Sequence, residues 1–157
     1  MFKKILVPTD GSSQANKALK IACQMTKENK ETKLNILSVF RHYGFTESSL
    51  GMMPRTINDK AANLDSVMSD YSKDLVRQGK DIAYSYDIEK QRVRGFIRVG
   101  QIAKEILDFI EEEKIDLVII GKQGRGDLSG YLLGGISHKV SGLSKIPVMV
   151  VWWFYLM

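Results

Sequence analysis

The stretch DLVIIGKQGRGDLSGYLLGGIS, residues 116–137, decides how the chain is read. It opens on a continuous apolar run, Leu117–Ile120, and then turns abruptly rich in glycine. Seven of the chain's 13 glycines fall between Gly121 and Gly142. A short apolar run without alternation fits a strand covered on both faces. Glycine lets backbone amides approach a neighbour closely and accepts positive φ. Gly134 and Gly135 stand where a new helical stripe begins, at Ile136, Val140 and Leu143. Free N–H groups and the dipole of a helix start favour an anion. The segment therefore predicts a strand, a glycine loop and a helix, with an anion site at the helix start.

Outward from it, the same alternation repeats. Apolar runs occur at Ile5–Val7, Leu34–Phe40, Val93–Val99 and Val148–Val151. Helical stripes lie between them. Ala15, Ala18, Leu19 and Ala22 form one, and Ile102, Ile106, Phe109 and Ile110 another. A long stripe passes through Leu64, Met68, Tyr71 and Leu75 and continues past Gly79, which favours one helix from about Asn58 to about Lys90 over the alternative, a break at Gly79 with a strand at Ile82–Tyr86. The order β-α-β-α-β-α-β-α-β predicts a single α/β domain over residues 1–157. It is one open five-stranded parallel sheet with helices on both faces. Residues 41–57 have no period and carry Gly44, Gly51 and Pro54, so a flexible loop, a candidate flap, is expected there.

Composition narrows the classes. The net charge of +5 and hydrophobic content of 44% describe a globular domain with mild affinity for anions. The basic residues are spread along the chain, which argues against nucleic acid. Residues 91–98 alternate like a strand with a wet face. The single Cys23 excludes an internal disulfide, fits a small core residue and suggests a reducing, cytoplasmic location. The apolar start is too short for a signal peptide. The uncharged aromatic tail, residues 152–157, ends a run about half the ~20 residues of a membrane helix. No membrane association is expected.

In an open parallel sheet, ligands bind beyond the carboxyl ends of the strands, where winding reverses. Two loops stand there, Val7–Ser13 and the glycine stretch. If the first and fourth strands are neighbours, both flank one crevice. Asp10 has two readings, a helix-capping acceptor or a ligand for a ribose hydroxyl or magnesium. Ser12 and Ser13 are alternative caps. The Walker and dinucleotide glycine patterns are absent. His138 falls on the polar side of its helix and reads as a surface residue.

The blocks Lys4-Ile5-Leu6-Val7-Pro8-Thr9-Asp10-Gly11-Ser12, Arg98-Val99-Gly100, Asp116–Gly121 and Ile146–Val151, in that order, resemble the universal stress protein family. The resemblance implies a Rossmann-like, adenine nucleotide alpha hydrolase-like fold and a homodimer formed through the last strand. The ATP-binding branch carries G-x2-G-x9-G-[ST]. Gly121, Gly124 and Gly134 keep that spacing, while Gly135 replaces the terminal hydroxyl residue. By resemblance, Pro8, Thr9 and Val39 line the base pocket, and Asp10 meets the ribose–phosphate side or its magnesium. Gly121 and Gly124 approach the ribose and phosphates. Gly134, Gly135, Ile136 and Ser137 surround the triphosphate, Ser137 offering a substitute hydroxyl. Losing one side-chain hydrogen bond of about 0.5–1.5 kcal/mol, or up to about 3 to a charged group, weakens ATP binding roughly tenfold to a hundredfold. The implied role is a homodimeric, ATP- or other adenine nucleotide-binding stress-response module. The alternatives are a dimeric scaffold without nucleotide and a slow ATPase, for which Arg125 is the one residue worth testing. The long second helix and the aromatic end depart from the family pattern. Trp152 and Trp153 point to opposite faces of an extended strand, so one of them is expected to meet a partner.

Overall fold

A computed structural model of the chain describes residues 1–42, 55–123 and 133–152. Its elements alternate as the apolar runs predict. They are β1 (Lys4–Pro8), α1 (Ser13–Glu28), β2 (Lys33–Phe40), α2 (Arg55–Ser85), β3 (Val93–Val99), α3 (Ile102–Glu113), β4 (Leu117–Gly121), α4 (Gly135–Leu143) and β5 (Val148–Val151). The strands form one five-stranded sheet in the order β3-β2-β1-β4-β5, and every pairing is parallel. The chain winds outward from β1 through β2 to β3, then returns to the other side of β1 for β4 and β5. The reversal falls between β1 and β4, so the expected neighbourhood of these two strands is present.

Successive residues of a strand point to opposite faces, and the core divides accordingly. Ile5, Val7, Leu34, Ile36, Leu117 and Ile119 share one cluster with Ala18, Leu19 and Ala22 of α1 and Ala83 of α2. Leu6, Leu37, Val118 and Ile120 share the other with Ile106 and Phe109 of α3 and Val140 of α4. Both faces are thus covered, which is why the central strands read as continuous apolar runs.

The second helix is continuous through Gly79, as its stripe predicts. A Cβ on Gly79 would stand 3.1 Å from Ile36 Cγ2, and one on Gly95 only 2.2 Å from Val76 Cγ1. Small residues at these two places let α2 lie close against β2 and β3. The helix ends at Ser85, short of the expected Lys90, because the chain reverses at Asp87 with φ of 61° and makes a 3-10 turn at Lys90–Arg92. Its stripe changes character along its length. Leu75 is buried, whereas Leu64 and Val67 are exposed. Most of the predicted loop at 41–57 lies outside the described residues, and α2 already begins at Arg55.

The strand with a wet face is β3. Arg94 pairs with Glu113 at 3.0 Å, and Arg98 pairs with Glu112 and, at 3.8 Å, with Glu105. Arg92 behaves differently and is buried. Its guanidinium donates to the carbonyls of Thr32 (3.0 Å), Asn29 (2.7 Å) and Thr26, and to Glu89 at 2.8 Å. A planar donor fork here closes the carboxyl end of α1 onto the sheet. Replacing Arg92 with Met, which keeps bulk but no donors, is expected to lower stability by about 3 kcal/mol, read as a fall in urea midpoint at constant m-value.

Cys23 is fully buried in the α1 face, as a core residue should be. Burial pushes its thiol up to about 12 from an ordinary value of 9.0. A group with a raised folded pKa contributes stability that is intact below the unfolded value and lost as pH climbs through the folded one. The native thiol should therefore resist a disulfide reagent at pH 8 and react fully in denaturant. Stability should fall between the ordinary thiol value and about 12, and a Cys23→Ala variant should lack that part of the alkaline loss.

Candidate functional site

The carboxyl ends of β1 and β4 open on one side of the sheet, and the residues there are held by short local bonds. After Pro8 the chain leaves the sheet, with Thr9 N–H still donating to Leu37 O at 2.8 Å. The Thr9 hydroxyl accepts from Gly11 N–H at 3.2 Å, and Asp10 Oδ1 accepts from Ser12 N–H at 2.9 Å. Gly11 supplies the positive φ of 77° that the turn needs. Ser12 is the helix cap, its Oγ accepting from Ala15 N–H at 3.2 Å. The capping reading of Asp10 is thereby settled in favour of Ser12. Asp10 itself braces the turn before the cap.

On the β4 side, α1 comes very close. A Cβ on Gly121 would lie 2.9 Å from the Gln14 carbonyl carbon and 3.0 Å from Ala15 N. The glycine is required first by helix α1, a reason that the spacing of the glycine pattern does not disclose. Gln14 Oε1 then accepts from Gln123 N–H at 3.0 Å, clamping the start of the loop to the same helix. Across the loop, Lys122 O accepts from Gly134 N–H at 2.9 Å and from the Ser137 hydroxyl at 2.5 Å. The Ser137 hydroxyl also lies 3.0 Å from Gly134 O. Its single proton is engaged by backbone carbonyls, so Ser137 serves to fasten α4 to the end of β4.

These ties frame a cavity of about 100 Å³ that opens to solvent. Of the residues expected from the sequence, Pro8, Thr9, Asp10, Val39, Gly121, Ile136 and Ser137 line it. Gly134 caps α4 and Gly135 starts it, just beside the lining. A Cβ on Gly135 would meet nothing within 4 Å, so no packing reason demands glycine there. Gly124 and Arg125 lie outside the described residues, as does Trp153. His138 is exposed and does not join the site.

The cavity also has members that the sequence did not reveal. Ile102, Ile106 and Ile120 form its apolar floor with Leu37. Their periodicity marks them as core, and nothing in one sequence separates a core side chain from one that lines a cavity from below. Gln123 contributes a polar edge. The result is an apolar slot with a carboxylate and a threonine on one side. On the other is a helix start whose first N–H groups have no partner within the helix. Such a site accepts a flat apolar ring at one end and an anion at the other. Among the described residues no three His, Cys, Asp or Glu side chains converge on a metal. A single carboxylate such as Asp10 suits magnesium only when phosphates supply further oxygens.

Among the described residues, no helix is long and apolar enough to cross a membrane. The universal stress protein family model matches residues 1–151. The chain is similar to universal stress protein YxiE of Bacillus subtilis, at 34% identity over 96% of this chain and 99% of that one. Among solved structures it resembles MJ0577, a protein of Methanocaldococcus jannaschii, with a TM-score of 0.77, 27% identity and 99% of each chain covered. It also shares its fold with a universal stress protein solved in complex with cAMP, at a TM-score of 0.64 and 20% identity over 96% of this chain and 97% of that one. The chain belongs to the universal stress protein family.

Proposed function

We propose that the protein binds ATP, or another adenine nucleotide, in the cavity between β1 and β4, and acts as a homodimeric regulatory module in stress adaptation. One observation carries the nucleotide reading. The apolar slot, Asp10 and the start of α4 converge on one opening at the reversal point of the sheet. The base would enter between Val39, Thr9 and the isoleucine floor. Asp10 would face the ribose or a phosphate-bound magnesium. The N–H groups of Gly135, Ile136 and Ser137, at the positive end of the helix dipole, would meet the phosphates. The adenine nucleotide in the complex with cAMP lends support by fold alone.

The dimer reading rests on the two sheet edges. β3 is guarded by the ion-paired arms of Arg94 and Arg98, whereas β5 is apolar, with Met149 exposed. Charged edges resist pairing and apolar ones invite it. Trp152, half exposed just past β5, extends the apolar strip.

A second reading, a scaffold of this fold without nucleotide, is favoured by Gly135. No side-chain hydroxyl stands there, and the proton of Ser137 is already donated to carbonyls. Calorimetric titration with ATP and magnesium separates the two. Saturable binding supports the nucleotide reading, and a flat response at millimolar ATP sinks it. Asp10→Ala should weaken binding about tenfold or more, as expected for a lost hydrogen bond involving charge.

Gly135→Ser provides the converse test. The site has space for the added atoms, and serine at a helix start introduces no strain. A new bond to a charged phosphate, worth about 1.5–3 kcal/mol, should tighten ATP binding roughly tenfold to a hundredfold. An unchanged affinity would mean that position 135 does not face the phosphates.

A further inference from the structure

Three consecutive backbone groups at the end of β4 have three different kinds of partner. Lys122 N–H donates to Val151 O at 2.8 Å, and Lys122 O accepts from Gly134 N–H and the Ser137 hydroxyl. The next group, Gln123 N–H, donates to Gln14 Oε1 at 3.0 Å. The first two sets of bonds stay on the β4 side of the crevice, with β5 and α4. The third crosses to α1, on the β1 side, and joins residues 109 positions apart in the chain. Both sides that it joins belong to the cavity. Ser12 and Ala15 line it from the start of α1, and Gly121 and Gln123 line it from the end of β4. Gln14 is not part of that lining. Its side chain acts on the peptide that carries Gln123 rather than on the opening itself.

We propose that Gln14 is a positioning residue of this site: its amide oxygen fixes the Gln123 peptide, and with it the polar edge of the cavity, before a ligand arrives. The proposal rests on the nucleotide reading above and adds a residue that does not touch the nucleotide. The packing of Gly121 against Gln14 and Ala15 already sets how close α1 comes to the end of β4. That contact is non-directional and leaves the orientation of the peptide two residues further on unspecified. A hydrogen bond is directional, and the bond from Gln14 fixes where the N–H of residue 123 points. An edge held in one arrangement costs a ligand little ordering on binding. An edge that samples several arrangements is competent for only part of the time, and apparent affinity falls by that fraction.

The test uses the whole chain, calorimetric titration with ATP and magnesium, and two variants at residue 14. Gln14→Met keeps the length of the side chain and its packing on Gly121 but has no oxygen acceptor. Gln14→Glu keeps an acceptor at the same reach. Both are good helix formers on the partly exposed first turn of α1, so both variants should fold, which circular dichroism checks. Gln14→Met should bind ATP about fivefold more weakly than the unaltered protein, the loss expected for one hydrogen bond. Its Gln123 amide should also exchange with solvent faster. Gln14→Glu should restore slow exchange and recover part of the affinity, the remainder being lost to repulsion between its carboxylate and phosphate. ATP affinity or amide exchange in Gln14→Met equal to that of the unaltered protein overturns the positioning role and leaves the nucleotide reading standing. So does a Gln14→Glu variant that binds ATP no more tightly than Gln14→Met. If the unaltered protein itself gives a flat titration, the nucleotide reading falls and the positioning role falls with it.

Discussion

The contact between the first turn of α1 and Gly121 holds the functional end of this molecule together. The backbone of Gln14 and Ala15 stands at the distance where a side chain on residue 121 would otherwise begin. That approach brings α1 down on the end of β4 and keeps the loop after β1 beside the loop after β4. Gln14 adds a bond to Gln123 N–H, so the same turn also fixes where the glycine loop starts. A position that looks like a ligand-binding glycine is thus first a packing glycine, and the crevice follows from the packing.

The rest of the fold supplies a rigid frame for that contact. The α1 and α2 face and the α3 and α4 face are both closed by apolar side chains from alternate positions of the same strands. A strand buried on both faces has little freedom to slip, because a shift by one residue exchanges the two faces. The buried Arg92 anchors the far end of α1, so that helix is held at both ends, by glycine packing at one and by a guanidinium at the other. The sheet edges are finished differently. Ion pairs lie along β3, whereas β5 remains apolar.

Much of this was legible in one sequence because it depends on periodicity. The continuous runs at Leu117–Ile120 and Val148–Val151 announce covered strands, and the stripe through Gly79 announces a long helix. The alternation at 91–98 announces a strand whose arginines reach outward, and Arg94 and Arg98 do so. Arg92 does not, since a turn of 3-10 helix precedes the strand and rotates its side chain inward. The stripe overextends the lower end of α2 for a similar reason. A stripe can persist to Tyr86 while a left-handed residue at Asp87 has already ended the helix. Residues of the cavity lining at strand ends, such as Asp10 and Gly121, could be picked from residue type and place. Ile102, Ile106 and Gln14 could not, because their types are those of ordinary helix positions.

What the sequence by itself determined is the set of elements, their order and the family to which they belong, since hydrophobic period and glycine spacing are local quantities written along the chain. What only the tertiary structure decided is which of those elements meet. The neighbourhood of β1 and β4, the engagement of the Ser137 proton by Lys122, the burial of Arg92 and the placement of Lys122 on Trp152 all join residues distant in the chain. Such contacts arise from close packing in three dimensions. The chain records the pieces that can pack, and only their assembled distances show which hydroxyl is already occupied, which glycine is compelled and which charge lies out of water.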